Sequence, residues 1–307
     1  MFDRLMHASP QERGSSCKPA AGLSSRTVAE TVNPAPCRTF PNLKSLRFAC
    51  AAFLSFFITT HLPAAAESRA NTPRLALAAA SNLVYVLDDL LAAFRQTHPD
   101  LHPTLSTGAS GSLVAQIRHG SPVDVFLSAD HHYAQALVDS RHAVASSFTT
   151  FATGRLVLWT TRDSLALDSL PATVRDPAVR KLALANPDTA PYGRATKQVL
   201  ATLDLWTDAA PKMVLGENIT QTAQFVETGH ADAGFVALSL VLSPRLKNRG
   251  RWLEIPAHLH SPLDQAAVLT PRGSENPAAH LFLNFLRSDP AREILLRHGY
   301  AVPQKKP

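Results

Sequence analysis

Short apolar runs alternate along the chain with segments whose apolar residues recur at helical spacing. The apolar runs predict strands at residues 75–80, 103–106, 123–127, 155–160, 181–185, 212–215, 232–238 and 265–269. Helical spacing predicts helices at residues 83–94, 113–119, 131–138, 193–203, 219–228, 278–287 and 290–298. In the first of these, one face carries Leu83, Leu87, Leu90, Leu91 and Phe94. This alternation predicts an α/β fold with largely parallel sheets.

Small polar residues stand at four points where a predicted strand is followed by a predicted helix. These junctions are Ser81-Asn82, Ser110-Gly111-Ser112, Pro191-Tyr192-Gly193 and Glu217-Asn218-Ile219-Thr220. The first N–H groups of a helix lack intrahelical acceptors and the helix dipole is positive there, so such junctions suit an anion. Because parallel α/β sheets bind ligands at the carboxyl ends of their strands, we expect the junctions to share one ligand. Ordinary N-capping is the alternative interpretation of each junction taken singly.

Composition and charge exclude several classes of function. The chain has 307 residues, 45% hydrophobic and 18% charged, so it is globular and could form one large domain or two ordinary ones. Most of the net charge of +6 belongs to residues 1–66, which hold seven of the 30 Lys and Arg and three of the 24 Asp and Glu. The remainder has a net charge of +2 and no basic stripe interleaved with aromatic residues, so no nucleic-acid partner is expected.

The N-terminal segment is typical of an export signal. Lys44 and Arg47 precede an almost uncharged apolar run at residues 48–60, and alanines at 64–66 supply a cleavage site before Glu67. The run of about 13 residues is short for a membrane span. We therefore predict a signal peptide at residues 43–66 and a periplasmic protein, with a buried core helix as the alternative. Residues 1–42 are predicted to be disordered or to precede the true translation start.

The positions of cysteine and histidine argue against metal and nucleophilic chemistry. All three cysteines precede the predicted cleavage site: Cys17, Cys37 and Cys50. The closest histidine neighbours, at 131–132 and at 258 and 260, lack companions at ligand spacing, so no metal site is predicted. No Gly-x-Ser-x-Gly nucleophile elbow is present. The enzyme alternative is an esterase with Ser110 as its nucleophile.

Several motifs follow the order and spacing of one known protein family. They are AAASNL at 78–83, ASGSL at 109–113, GSPVDVFLSAD at 120–130, LANPDTAPYG at 184–193, GENIT at 216–220, GHADAGFV at 229–236, FLNFLRSDP at 282–290 and GYAV at 299–302. Together they span roughly residues 73–303, and DVFLSAD at 124–130 is the most specific of them. On these motifs the chain resembles the periplasmic molybdate-binding proteins of ABC transporters, the ModA family.

The resemblance implies a two-lobed periplasmic solute-binding protein of type II, each lobe a mostly parallel sheet flanked by helices. Lobe 1 is expected at residues 73–153 plus 239–307 and lobe 2 at residues 154–238, joined by strands near 151–154 and 236–239. The implied ligand is molybdate or tungstate, captured between the lobes and delivered to an ABC transporter permease. The resemblance also implies a monomer without cofactor or catalytic activity, which binds molybdenum only as its oxyanion.

Five oxyanion-binding residues follow from the resemblance: Ser81, Asn82, Ser110, Tyr192 and Ile219. The two serines are expected to donate through Oγ and their own N–H, and Tyr192 and Ile219 through backbone N–H alone. Some family members place a tyrosine hydroxyl in the segment corresponding to residues 234–237, where this chain has Ala237. Other members lack that tyrosine and carry Asn after the first hydroxyl residue. We therefore expect Asn82 to supply the missing donor.

Neutral donors suit a dianion that must later be released, because buried Lys or Arg would hold it through charge-assisted bonds. None of the five positions is acidic, which argues against protonated phosphate, since its proton needs an acceptor. Sulfate is smaller than molybdate and would miss hydrogen bonds worth about 1.5–3 kcal/mol each. Two alternatives stay open, namely a receptor for sulfate or thiosulfate and a ligand sensor of the same fold without a transporter.

Overall fold

Two five-stranded sheets organise residues 74–303, which are the residues that the computed structural model describes. Both sheets are flanked by helices, so the predicted α/β class is confirmed. We call the parts of the chain built on these sheets the first lobe and the second lobe. The predicted signal peptide at 43–66, the segment 1–42 and the three cysteines lie outside the described residues. Within 74–303, no helix is both long and apolar enough to cross a membrane.

The first sheet is mixed and has the strand order β2-β1-β3-β10-β4. Its strands are β1 (Ala76–Ala80), β2 (Thr104–Gly108), β3 (Val125–Ser128), β4 (Thr149–Gly154) and β10 (Leu263–Leu269). Strand β1 pairs in parallel with β2 and β3, whereas β10 is antiparallel to β3 and β4. The sheet is therefore less parallel than expected, because β10 returns from the second lobe and runs against its neighbours.

The second sheet repeats this arrangement with the order β7-β6-β8-β5-β9. Its strands are β5 (Leu156–Thr160), β6 (Leu182–Ala185), β7 (Met213–Gly216), β8 (Ala233–Ala237) and β9 (Arg251–Glu254). Strand β6 is parallel to β7 and β8, and β5 is antiparallel to β8 and β9. Because β9 pairs with β5, residues 251–254 belong to the second lobe and their predicted place in lobe 1 is wrong. This edge strand is largely exposed, so it gives no apolar run.

All seven helices predicted from the apolar periodicity are present, and four further helices of four to six residues were not predicted. In chain order the helices are α1 (Val84–Thr97), α2 (Ser110–Arg118), α3 (His131–Asp139), α4 (Leu170–Arg175), α5 (Pro191–Thr202), α6 (Trp206–Ala209), α7 (Ile219–Glu227), α8 (Leu238–Val241), α9 (Pro271–Ser274), α10 (Pro277–Phe285) and α11 (Asp289–Arg297). A 3₁₀ turn, Ser81–Leu83, joins β1 to α1. Helix α5 begins two residues earlier than predicted because proline suits the first helical position.

Side chains of the first sheet alternate between two apolar faces. Leu77 and Leu127 belong to the core under α1, α10 and α11, where Phe94 and Phe282 pack edge to face. Phe126, the neighbour of Leu127 on β3, faces the opposite side of the sheet and belongs to a separate core under α2 and α3. Successive strand residues point to opposite faces, so a sheet covered on both sides needs continuous apolar runs. This explains why buried strands such as β1 and β3 appear in the sequence as continuous runs of small or apolar residues, without alternating polar positions.

Candidate functional site

A small buried cavity lies where strand ends of both lobes meet helix starts. It is lined by Ala80, Ser81, Asn82, Gly108, Ala109, Ser110, Ala129, Ala190, Pro191, Tyr192 and Ile219. All five residues predicted to hold an oxyanion are therefore brought together. Three of them follow β1 and β2 in the first lobe, and the other two begin α5 and α7 in the second lobe. None of these lining residues carries a charge.

Three of the four helical segments that begin at the cavity differ from the other helices in their capping. Among the described helices of six or more residues that begin elsewhere, each is capped by a side chain: Asp130 for α3, Ser169 for α4, Asn276 for α10 and Ser288 for α11. The 3₁₀ turn before α1 and helices α2 and α5 have no side-chain cap. Their first N–H groups thus need another acceptor, and for Gly111 in α2 this is the carbonyl oxygen of Thr189 at 2.9 Å, whereas the other first N–H groups are left for a ligand. N-capping, the alternative interpretation, does not explain these three junctions.

Helix α7 has a cap that leaves its cavity residue free. Asn218 Oδ1 accepts from the backbone N–H of Thr220 and of Gln221, both at 3.0 Å. The N–H of Ile219, first in the helix, is not part of this cap and has no intrahelical acceptor. The Thr220 hydroxyl donates to the carbonyl oxygen of Ser81 at 2.9 Å, which fastens the start of α7 to the first lobe.

The hydroxyl of Ser110 is oriented by the end of β3. Ser110 is fully buried, and its Oγ accepts a hydrogen bond from the Ala129 N–H at 3.1 Å. A hydroxyl has one hydrogen and two lone pairs, and this bond uses only a lone pair. The hydroxyl hydrogen therefore remains available to a ligand in the cavity, as the sequence interpretation requires.

The side-chain amide of Asn82 is committed to a buried polar network. Its Nδ2 donates to Gln265 Oε1 at 2.8 Å and to Tyr300 Oη at 3.0 Å. Gln265 Nε2 donates to the carbonyls of Ala129 at 3.0 Å and Leu263 at 2.7 Å, which turns its oxygen toward Asn82. Because both amide hydrogens are used, the side chain is not free for the expected role of replacement donor. The backbone N–H of Asn82 lies in the uncapped turn after β1 and remains free to donate to a ligand.

Tyr192 lines the cavity, and its ring reaches into the region behind it. Its hydroxyl and Asn82 Oδ1 are both buried, and neither has a hydrogen-bond partner among the described residues. A β-carbon at position 154 would lie 2.1 Å from Tyr192 Oη, so Gly154 makes room for the ring. Burial, followed by the nearby Tyr300, raises the pKa of Tyr192 well above its ordinary value. The hydroxyl therefore stays neutral.

Three residues of this network were missed in the sequence: Ser239, Gln265 and Tyr300. The Ser239 hydroxyl donates to the Asn82 carbonyl at 3.0 Å, and Tyr300 Oη lies 3.0 Å from the same oxygen. Burial raises the pKa of Tyr300, so its hydroxyl also stays neutral. Gln265 did carry a signal, since a polar amide beside the run AAVL in a buried strand needs partners. Which residues those partners are depends on the pairing of distant segments.

The described part of the chain gives no support to a metal site or to Ser110 as a nucleophile. Within residues 74–303, no group of three or more His, Cys, Asp or Glu could hold a metal ion. His131 Nε2 instead lies 2.6 Å from Thr150 Oγ1. None of the residues that line the cavity is a histidine, so Ser110 has no imidazole beside it to act as a base.

Comparison with known proteins gives the family of the chain. The family model for bacterial extracellular solute-binding proteins matches residues 75–301. The molybdate-binding protein ModA of Azotobacter vinelandii is 36% identical over 234 residues, which cover 76% of this chain and 92% of that protein. ModA of Rhodobacter capsulatus is 38% identical over 199 residues, which cover 65% and 77%.

A solved structure gives the same result. The periplasmic molybdate-binding protein of Azotobacter vinelandii matches with a TM-score of 0.70 and 33% sequence identity, and the match covers 75% of this chain and 100% of that one. The relatives are binding proteins rather than enzymes, and the resemblance inferred from the sequence motifs is confirmed. The chain belongs to the ModA family of bacterial extracellular solute-binding proteins.

Proposed function

We propose that this protein captures molybdate, or the similar tungstate, in the buried cavity and delivers it to an ABC transporter permease. The observation that carries the proposal is the convergence of four helix starts with free N–H groups on a cavity lined by no charged residue. The relatives named as molybdate-binding proteins supply the class of ligand.

The proposed donors come from both lobes, so the anion holds the lobes together. Ser81, Asn82 and Ser110 donate from the first lobe, through backbone N–H groups and the serine hydroxyls. Tyr192 and Ile219 donate backbone N–H groups from the second lobe. These fixed dipoles are positive toward the cavity and cost no desolvation of a charged side chain. A dianion held in this way can be released when the lobes separate.

Selectivity follows from the character of the donors and from the spacing that the two lobes impose. Every proposed donor offers a hydrogen, and none of the lining residues is a carboxylate that could accept a proton from hydrogen phosphate. We expect a smaller anion such as sulfate to reach fewer of the donors that the two lobes present. Each missing bond to a charged group costs about 1.5–3 kcal/mol, so one is enough for roughly tenfold discrimination.

Titration calorimetry with molybdate, tungstate, sulfate and phosphate tests the proposal. We expect molybdate and tungstate to bind with similar affinity, and sulfate at least about tenfold more weakly, because of the lost hydrogen bonds. Phosphate is expected to give no measurable heat. Tight binding of sulfate or thiosulfate without binding of molybdate would instead establish a receptor for those anions.

The pH dependence gives a second prediction. Burial raises the pKa values of Tyr192 and Tyr300, the two ionisable groups behind the cavity, so both stay protonated in the folded protein. Molybdate affinity, measured by calorimetry, should therefore be flat between about pH 6 and pH 9. Stability should fall as the pH rises above about 10, since the unfolded chain can ionise these tyrosines and the folded one cannot. An affinity that changes tenfold across the flat range would contradict this.

The setting of the proposed function is the periplasm. Family membership and the export signal predicted at residues 43–66 both support it. We further propose that the mature protein acts as a monomer, because one chain supplies all five proposed donors. N-terminal sequencing of the exported protein tests the cleavage site before Glu67, and sedimentation tests the oligomeric state.

A further inference from the structure

An ion pair crosses between the lobes beside the cavity. Asp130 caps α3 in the first lobe, where its Oδ1 accepts from the Tyr133 N–H at 3.1 Å. Its other oxygen accepts from Nη2 of Arg194, which belongs to α5 in the second lobe. The Asp130 side chain is only 8% exposed and that of Arg194 33%, so this pair is better shielded from water than most of the ion pairs of the described chain.

Two further contacts extend this ion pair. The guanidinium of Arg194 lies 5.2 Å from the centre of the Tyr133 ring, which is a cation–π distance. The Tyr133 hydroxyl donates to the carbonyl oxygen of Asp188 in the second lobe at 2.8 Å. A β-carbon at position 111 would come within 2.9 Å of the Tyr133 ring, so Gly111 lets this ring lie against the start of α2. We call Asp130, Tyr133 and Arg194 the interlobe latch.

The interlobe latch continues directly from the residues that line the cavity. Asp130 follows Ala129, and Arg194 stands two residues after Tyr192. None of the three latch side chains lines the cavity itself. The latch can therefore form only when the two donor sets are together, yet it need not touch the ligand.

We propose that Arg194 is a positioning residue that sets how long the bound oxyanion stays in the cavity, by joining Asp130 and Tyr133 in the closed form. The proposal rests on the proposed function. A contact made only in the closed form shifts the equilibrium between open and closed forms by its own free energy. Because the anion enters the open form, in which the latch is not made, loss of the latch accelerates release and leaves capture nearly unchanged. Because it does not touch the anion, selectivity is also unchanged.

The test is the release of radiolabelled molybdate, chased with unlabelled molybdate, from wild type, Arg194→Gln and Arg194→Lys. For Arg194→Gln we expect release about tenfold faster, equivalent to about 1.4 kcal/mol, with an association rate within about twofold of wild type. Arg194→Lys keeps the positive charge, so its release should be slower than that of Arg194→Gln and faster than that of wild type. The ratio of molybdate to sulfate affinity should stay the same in all three proteins.

Arg175→Gln is the matched control. Arg175 pairs with Asp208 at 2.8 Å, but both residues lie in the second lobe, on α4 and α6. Its removal should leave release unchanged, although it also deletes an Arg–Asp pair. Equal release from wild type and Arg194→Gln would overturn the latch.

Small-angle scattering of the ligand-free proteins separates the two proposals. Arg194→Gln should have a larger radius of gyration than wild type and Arg175→Gln, because its lobes separate more easily. A wild type that binds no molybdate would defeat the proposed function, and the scattering comparison would still decide on the latch. Identical scattering from all three proteins would then overturn the latch as well.

Discussion

Replacing Ser110 with alanine is expected to weaken molybdate binding by about 10- to 100-fold, as measured by titration calorimetry. The buried hydroxyl has its hydrogen free for the ligand, and a hydrogen bond to a charged group is worth about 1.5–3 kcal/mol. The same change removes the acceptor of the buried Ala129 N–H, which costs about 1–3 kcal/mol of stability. Chemical denaturation of the ligand-free protein should therefore register a loss that is independent of molybdate.

Ser112→Ala is the control for this prediction. Ser112 lies two residues further along α2 and does not line the cavity. It should bind molybdate as wild type does and keep the stability of wild type. If Ser110→Ala binds molybdate within twofold of wild type, the hydroxyl is not a donor and the proposed site is wrong at this position.

Replacing Gly193 with alanine is expected to abolish measurable molybdate binding. A β-carbon at position 193 would lie 2.1 Å from the carbonyl oxygen of Ala185 and 2.7 Å from its carbonyl carbon, which are backbone atoms that cannot rotate away. The start of α5 would have to move away from the end of β6, and the Tyr192 N–H would move with it. Overpacking of this kind also lowers stability by about 1–3 kcal/mol. Calorimetry and chemical denaturation measure the two effects.

Gly108→Ala is the control for stability. A β-carbon there would contact only the Leu113 side chain, at 3.5 Å, which is an ordinary packing distance. Its free energy of unfolding should stay within about 0.5 kcal/mol of wild type, as is usual for a change without a clash. A Gly193→Ala protein that binds molybdate normally would mean that the position of α5 does not matter for the site.

Much of the fold was predictable because apolar periodicity reports which faces of an element are buried. The stripe from Leu83 to Phe94 became the buried face of α1, and buried runs such as residues 181–185 became central strands. Strand direction was not predictable in this way, since a buried run is apolar whichever way the chain passes through the sheet. The edge strand β9 was missed because its residues are mostly exposed and show no burial pattern.

The prediction for Asn82 failed in part for a similar reason. An asparagine after a strand end can donate to a ligand, but it donates to whatever acceptor the fold places nearest. Gln265 and Tyr300 lie 183 and 218 residues further along the chain, and together they take both amide hydrogens. No local pattern near Asn82 could indicate partners at that separation.

The sequence by itself determined the local chemistry of this protein. Each of the four junctions pairs a strand end with a helix start rich in small or polar residues, and these are properties of neighbouring residues. The tertiary structure alone decided that the free N–H groups meet at one cavity, that the Asn82 side-chain amide donates to Gln265 and Tyr300, and that Arg194 joins Asp130 across the lobes. The physical reason is that capping and periodicity act over a few residues, whereas convergence depends on how two distant sheets pack together.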